Sequence, residues 1–154
     1  MRLIKTPLDG CLVIEPKVHG DERGFFYESF NANRFAEAGL DLRFVQTNVS
    51  RSEEGVLRGL HYQWPNPQGK LVSVSRGAVY DVVVDIRVGS PTFGCWDSVL
   101  LDDRERKSIY LSEGLAHGSL ARQAGTTAMH LCSTPYAPQR EHTLAAPDPE
   151  RDGI

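Results

Sequence analysis

Five histidines, His19, His61, His117, His130 and His142, are the first residues to weigh for chemistry. Imidazole titrates nearest neutrality and is the default proton-transfer group. A lone strand histidine is more often structural, so neighbours must single some of them out. His61 lies in Gly55-Val56-Leu57-Arg58-Gly59-Leu60-His61-Tyr62-Gln63, and Lys70 follows nine residues later. In an extended segment His61 and Gln63 share one face and Arg58 points the other way, unless Gly59 supports a bulge that brings Arg58 round. A base, an ammonium and a guanidinium together suit proton removal next to a carbonyl. The base takes the hydrogen, and the lysine holds the negative oxygen of the enolate. Two unconnected surface strands would give the same spacing. Arg23, in Asp21-Glu22-Arg23-Gly24-Phe25-Phe26-Tyr27-Glu28, sets a guanidinium beside aromatics. That combination suits a phosphate and a stacked base, and an ordinary edge strand with solvated charge reads equally well. His117 is flanked by Gly114 and Gly118 at a strand–turn junction. No metal is expected, because His61-Tyr62-Gln63 offers one imidazole where Zn or Fe sites need several ligands.

The elements that must position these groups read as strands. Fourteen glycines and nine prolines divide the 154 residues into short apolar stretches, the pattern of an all-β sandwich or barrel. Ala78–Arg87 is the clearest strand. Ala78, Tyr80, Val82, Val84 and Ile86 fall on one side, and Asp81 and Asp85 lie on the other, polar face. Lys70–Ser75, Trp96–Leu101, Ser108–Leu111 and Ala128–Ser133 are further strands. One short helix is expected at Arg34–Ala38, capped by Asn31 or Asn33 and closed by Gly39. Residues 145–154 read as a loop or tail.

Composition narrows the partners. The chain is 40% apolar and 24% charged, ordinary for a single globular domain over residues 1–154. Seventeen basic and twenty acidic residues give a net charge of -3, so neither nucleic acid nor an anionic membrane is the expected partner. No apolar run approaches the ~20 residues of a membrane helix, and no signal-peptide core follows Met1. Cys11, Cys95 and Cys132 form no motif, which fits a reducing cytoplasm.

Taken together, several stretches resemble one family. They are Asp21-Glu22-Arg23-Gly24-Phe25-Phe26, Gln46-Thr47-Asn48-Val49-Ser50, the Gly55–Gln63 signature, Asp85-Ile86-Arg87, Ser90-Pro91-Thr92-Phe93-Gly94, Ala116-His117-Gly118, Tyr136-Ala137-Pro138-Gln139-Arg140-Glu141 and Asp148-Pro149. In order and spacing they are similar to the nucleotide-sugar 3,5-epimerases that act on dTDP-4-keto-6-deoxyglucose. The resemblance implies a cupin-type jelly roll, a homodimer, and neither metal nor organic cofactor. It implies His61 as general base and Lys70 as the group that stabilises the enolate oxygen. It places Arg23, Glu28, Gln46, Asn48, Arg58, Gln63, His117 and Glu141 about the nucleotide-sugar site, with Tyr136 near the nucleotide or sugar.

Two departures from the family pattern carry consequences. The family's acid is a tyrosine six positions before the residue matching Tyr136, and here that position is His130. As imidazolium it would be a far stronger acid than a phenol. The family also continues past Asp148-Pro149 to an aspartate that orients the base. The sequence ends at Ile154, so either a truncated sequence or a carboxylate from elsewhere is expected, with Asp81 and Asp85 as the available ones. The leading expectation is an epimerase of a dTDP-4-keto-6-deoxy sugar, inverting C3, C5 or both, in rhamnose or natural-product sugar synthesis. Another enolate-based isomerisation or elimination on a similar substrate is the second reading. A sugar-nucleotide-binding cupin without turnover is the third.

Overall fold

The computed structural model describes residues 1–144; the expected tail at 145–154 lies outside the described residues. Thirteen strands and one α-helix follow in chain order. They are β1 (Arg2–Lys5), β2 (Cys11–Glu15), β3 (His19–Asp21), β4 (Gly24–Phe26), α1 (Ala32–Glu37), β5 (Gln46–Ser52), β6 (Leu57–Gln63), β7 (Lys70–Arg76), β8 (Ala78–Asp85), β9 (Trp96–Asp102), β10 (Ser108–Leu111), β11 (Leu115–Ala121), β12 (Thr126–Cys132) and β13 (Glu141–Thr143). A six-stranded sheet runs β1-β2-β10-β7-β12-β5, a five-stranded sheet runs β13-β6-β11-β8-β9, and β3-β4 forms a separate hairpin. The pairings are antiparallel throughout. This is the expected all-β, cupin-type jelly roll.

The inner faces of the two large sheets meet in one apolar cluster. Val72, Val74, Ile109, Leu111 and Ala128 come from one sheet, and Val79, Val83, Leu101 and Leu115 from the other. Burial of such side chains is the main stabilising term of the fold. The outer face of the six-stranded sheet is covered separately. Phe35 of α1 packs with Ile14 and Leu71, joined by Phe30 and Phe44. α1 starts one residue after Asn31, whose side chain accepts from the Arg34 N–H at 3.2 Å, and Gly39 follows with φ 88°. Of the two caps the sequence offers, Asn31 is the one used, so the helix starts two residues before the expected Arg34, and Gly39 follows its end as expected.

β8 corrects the simplest expectation from alternation. Its polar face is the interior one. Val79, Asp81, Val83 and Asp85 are buried, whereas Tyr80 is 41% exposed. Buried carboxylates need partners, and both have them. Asp85 accepts from Arg87 Nη2 at 2.8 Å and from the Thr92 hydroxyl at 2.6 Å, and it also binds Ser90. These donors hold the Asp85 carboxyl far below the usual carboxylate range. Asp81 faces His117.

β6 carries the bulge that Gly59 permits. His61 pairs with His117 and Arg58 with Ser119, so three steps along β6 match two along β11. The extra residue turns Arg58 to the inner side with His61. Gly59 has φ 99°, and a Cβ there would lie 2.6 Å from both Gly118 Cα and the His117 carbonyl oxygen. Only glycine fits that position.

Candidate active site

At one end of the sandwich the facing side chains change from apolar to polar and enclose a cavity of about 540 Å³. Strand pairing explains which groups meet there. Lys70 pairs with Cys132, and His130 lies opposite Val72 and Asn48. Directly paired residues share a face, so Asn48, Lys70, His130 and Cys132 form one wall. The five-stranded sheet supplies the other, with Arg58, His61, His117 and Glu141. Tyr136 closes the rim.

The base candidate and the oxygen-holding candidate therefore stand on opposite walls. His61 is part-exposed, with Nδ1 3.4 Å from Glu141 Oε1 and 3.4 Å from the Thr143 hydroxyl. Asp81 and Asp85 do not reach it. His117 is buried, and its Nε2 lies 2.8 Å from Asp81 Oδ2. Its ring meets that of His130 edge-on at 5.7 Å. Burial lowers the Lys70 ammonium below the ordinary lysine range, against the opposing pull of Cys132, Asp81 and Glu141. Burial also raises the Cys132 thiol, with Lys70 opposing.

His130 departs furthest from its ordinary behaviour. Burial first, then the charges of His117, Lys70 and Arg58, push its pKa down from 6.5 to about 3. It is held as neutral imidazole near pH 7, not as the imidazolium that a strong acid would require. A stability effect follows, with a definite sign. Unfolded chains take up a proton at this residue below pH 6.5 and folded ones do not until about pH 3. Stability is thus expected to fall as pH drops through that window, by up to about 1.4 kcal/mol per pH unit from this residue. Denaturant titrations at pH 7 and pH 5 should show a smaller acid loss in His130→Phe than in the parent. An equal loss in both would remove the assignment.

The remaining site residues named from the sequence are placed as follows. Gln46 donates to Asn48 Oδ1 at 2.8 Å and accepts from the Tyr136 backbone N–H at 2.8 Å, bracing two cavity residues. Gln63 is buried beneath the rim. It donates to the Asn66 carbonyl at 2.6 Å and accepts from the Ala137 N–H at 3.0 Å, and it does not line the cavity. Arg58 donates to the Ser52 hydroxyl at 2.9 Å. Arg23 is paired with Asp21 on the β3–β4 hairpin, and Glu28 with Arg34 at 3.2 Å. Neither lines this cavity. Cys132, Ser50, Gln68 and Ser119 do, unanticipated. The same-face relation of Cys132 to His130, two residues apart, was the available signal for the first of these.

Among the described residues no three His, Cys, Asp or Glu side chains are grouped as metal ligands, and no helix is long and apolar enough to cross a membrane.

Comparison with known proteins accords with this geometry. The family model described as dTDP-4-dehydrorhamnose 3,5-epimerase matches residues 5–152. A dTDP-4-dehydrorhamnose 3,5-epimerase of Mycobacterium tuberculosis is 54% identical over 151 residues, covering 97% of this chain and 75% of that protein. A dTDP-4-dehydrorhamnose 3-epimerase of Streptomyces niveus is 47% identical over 152 residues, covering 97% and 73%. Among solved structures, a dTDP-6-deoxy-D-glucose-3,5-epimerase of Legionella pneumophila in complex with dTDP-4-keto-L-rhamnose superposes with a TM-score of 0.92 at 49% identity, covering 98% of this chain and 81% of that one. With a cavity walled by both sheets and a sequence match along almost its whole length, the chain belongs to the dTDP-4-dehydrorhamnose 3,5-epimerase family.

Proposed function

We propose that the protein epimerises a dTDP-linked 4-keto-6-deoxy sugar at C3, C5 or both. The observation that carries this is the placement of His61 and Lys70 across one cavity from each other. The C4 ketone acidifies the hydrogens on C3 and C5. His61 removes one, the electron pair moves onto the C4 oxygen, and the Lys70 ammonium stabilises it. A proton returned from the opposite face inverts the centre. His130 stands on the Lys70 wall, opposite His61, and is the residue proposed to face that second side. The change from the family's tyrosine to histidine at this position favours inversion at a single centre. The scheme uses only side chains.

Arg58 is proposed to bind the pyrophosphate, because a guanidinium meets two oxygens at once. Asn48, His117, Tyr136 and Glu141 are proposed to contact the sugar and base, with Gln46 and Gln63 bracing them. Arg23 and Glu28 lie outside the cavity, on and beside the hairpin whose Phe25 and Phe26 are 55% and 72% exposed. A homodimer of single-domain chains, in which one copy's hairpin reaches the other's cavity, would give them the role the resemblance implies. The three cysteines are unpaired, which supports a cytoplasmic setting.

Incubation with dTDP-4-keto-6-deoxyglucose in deuterated water tests the reading. Deuterium with inversion at both C3 and C5 marks a double epimerase, and deuterium with inversion at one carbon marks a single-centre enzyme. Measurable dTDP-sugar binding without label would replace both with a binding protein. In His130→Phe, label should still enter while inversion at the labelled carbon is lost. Unchanged inversion would remove His130 from the scheme.

A further inference from the structure

We infer that Asp81 and His117 form a proton relay that feeds His130, so that His130 passes a proton to the sugar while taking one from His117. The inference rests on His130 being the residue proposed above to return the proton, and it begins from a problem of balance. A neutral imidazole carries one N–H and one lone pair. Giving up that hydrogen alone would leave imidazolate, an anion far less stable than the phenolate left by a tyrosine. His130 is held neutral, with its pKa pushed down to about 3, so it does not store a second proton beforehand. It must receive one as it gives one.

The two sheets bring a supplier to it. His117 lies opposite Val83 and Ser119 opposite Asp81, so Asp81 and His117 are diagonal neighbours on the inner face. Both are buried, and Asp81 Oδ2 lies 2.8 Å from His117 Nε2. Asp81 Oδ1 is buried with no hydrogen-bond partner among the described residues. A buried carboxylate needs a positive partner, and His117 is the group placed to carry that charge. A carboxylate only accepts, so hydrogen sits on Nε2 and Nδ1 is left for the mobile proton. The His117 ring meets that of His130 edge-on at 5.7 Å across the gap between the sheets, and catalytic hydrogen bonds of this kind tighten when substrate binds. The other neighbours of His130 serve less well. Lys70 is committed to the C4 oxygen, burial makes the Cys132 thiol hold its proton, and Asn48 has no acidic hydrogen. In the step, the enolate double bond supplies the electrons of the new C–H bond, and the C4 carbonyl re-forms. His130 gives the hydrogen from one nitrogen and takes the His117 proton on the other, ending neutral. His117 also ends neutral and is recharged from solvent, to which His61 releases the proton it removed.

The test uses the full chain at saturating dTDP-4-keto-6-deoxyglucose in deuterated water and reads inversion relative to deuterium entry at the same carbon. Label that enters through His61 alone retains configuration, so this ratio isolates the second side. Asp81→Asn keeps the shape and removes the charge. It should lower the ratio about 10²-fold, and His117→Gln should give the same fall even if Asp81→Asn folds poorly. In His130→Tyr, whose phenol gives up its own proton, adding Asp81→Asn should change the ratio by less than about threefold. A parental ratio in both Asp81→Asn and His117→Gln would overturn the relay. So would an equal fall in the His130→Tyr background, which would make Asp81 a support of the cavity and not a feeder of His130. Failure of the underlying reading would show separately, as inversion that survives in His130→Phe.

Discussion

Replacing His61 by alanine is expected to lower solvent-deuterium incorporation at C3 and C5 of dTDP-4-keto-6-deoxyglucose by about 10³- to 10⁴-fold, the upper range of what a placed general base contributes. His61 is the imidazole within reach of Glu141, on the wall facing Lys70. The other two cavity imidazoles cannot readily substitute. His117 is bound to Asp81 at 2.8 Å, and His130 has its pKa pushed down to about 3, which makes it a poor proton acceptor. The half-exposed position of His61 on β6 makes the variant tolerable to the fold. Nucleotide-sugar binding should change by less than about threefold, since the truncation removes a proton acceptor and leaves the polar contacts. Exchange within tenfold of the parent would dismiss this residue as the base.

Lys70→Met is the second large effect. Methionine keeps the length of the apolar stem and removes the ammonium. The Lys70 ammonium lies in the cavity wall and feels the charges of Cys132, Asp81 and Glu141, in a part-buried setting where a fixed charge acts strongly on a developing oxyanion. Loss of one such group costs about 10²- to 10³-fold in kcat. A pH signature accompanies it. Burial lowers the pKa of Lys70, so the ammonium is lost at lower pH than from an exposed lysine, and the alkaline decline in rate arrives correspondingly early. In Lys70→Met that decline should vanish along with most of the rate. Steady-state exchange between pH 7 and pH 10.5, the ordinary lysine value, measures both. A variant with the parental alkaline limb would show that another group titrates there.

What could be read beforehand, and what could not, divides along physical lines. Alternation located Lys70–Arg76 and Trp96–Asp102 to within a residue at their ends, because period 2 is a local property. Asn31 and Gly39 marked the helix for the same reason. Gly59 announced a bulge because its backbone geometry is special, and the bulge brings Arg58 beside His61. The inward turn of Asp81 and Asp85 was not legible. Their burial depends on His117 and Arg87, and the polar look of a strand face says nothing of partners supplied from beyond it. Gln63 looked like a cavity residue because it shares a strand with His61. It instead ties down the 134–137 segment through backbone groups that no spacing rule locates. Glu141 and His61 are 80 residues apart, and their meeting depends on the β13–β6 pairing. The charge state of His130 likewise required knowing that Lys70, Arg58 and His117 converge on it.

The two walls of the cavity belong to different sheets, and the apolar layer beneath helps to keep them at their spacing. Val72 lies opposite His130 in its sheet and Val83 opposite His117 in the other, and both are buried in the shared cluster. These valines act as a gauge block for the reaction. Their bulk sets the gap that a sugar ring must bridge between the imidazole and the ammonium. Trimming either one would bring the jaws together by a fraction of an ångström, and turnover would register the change although neither side chain meets the sugar.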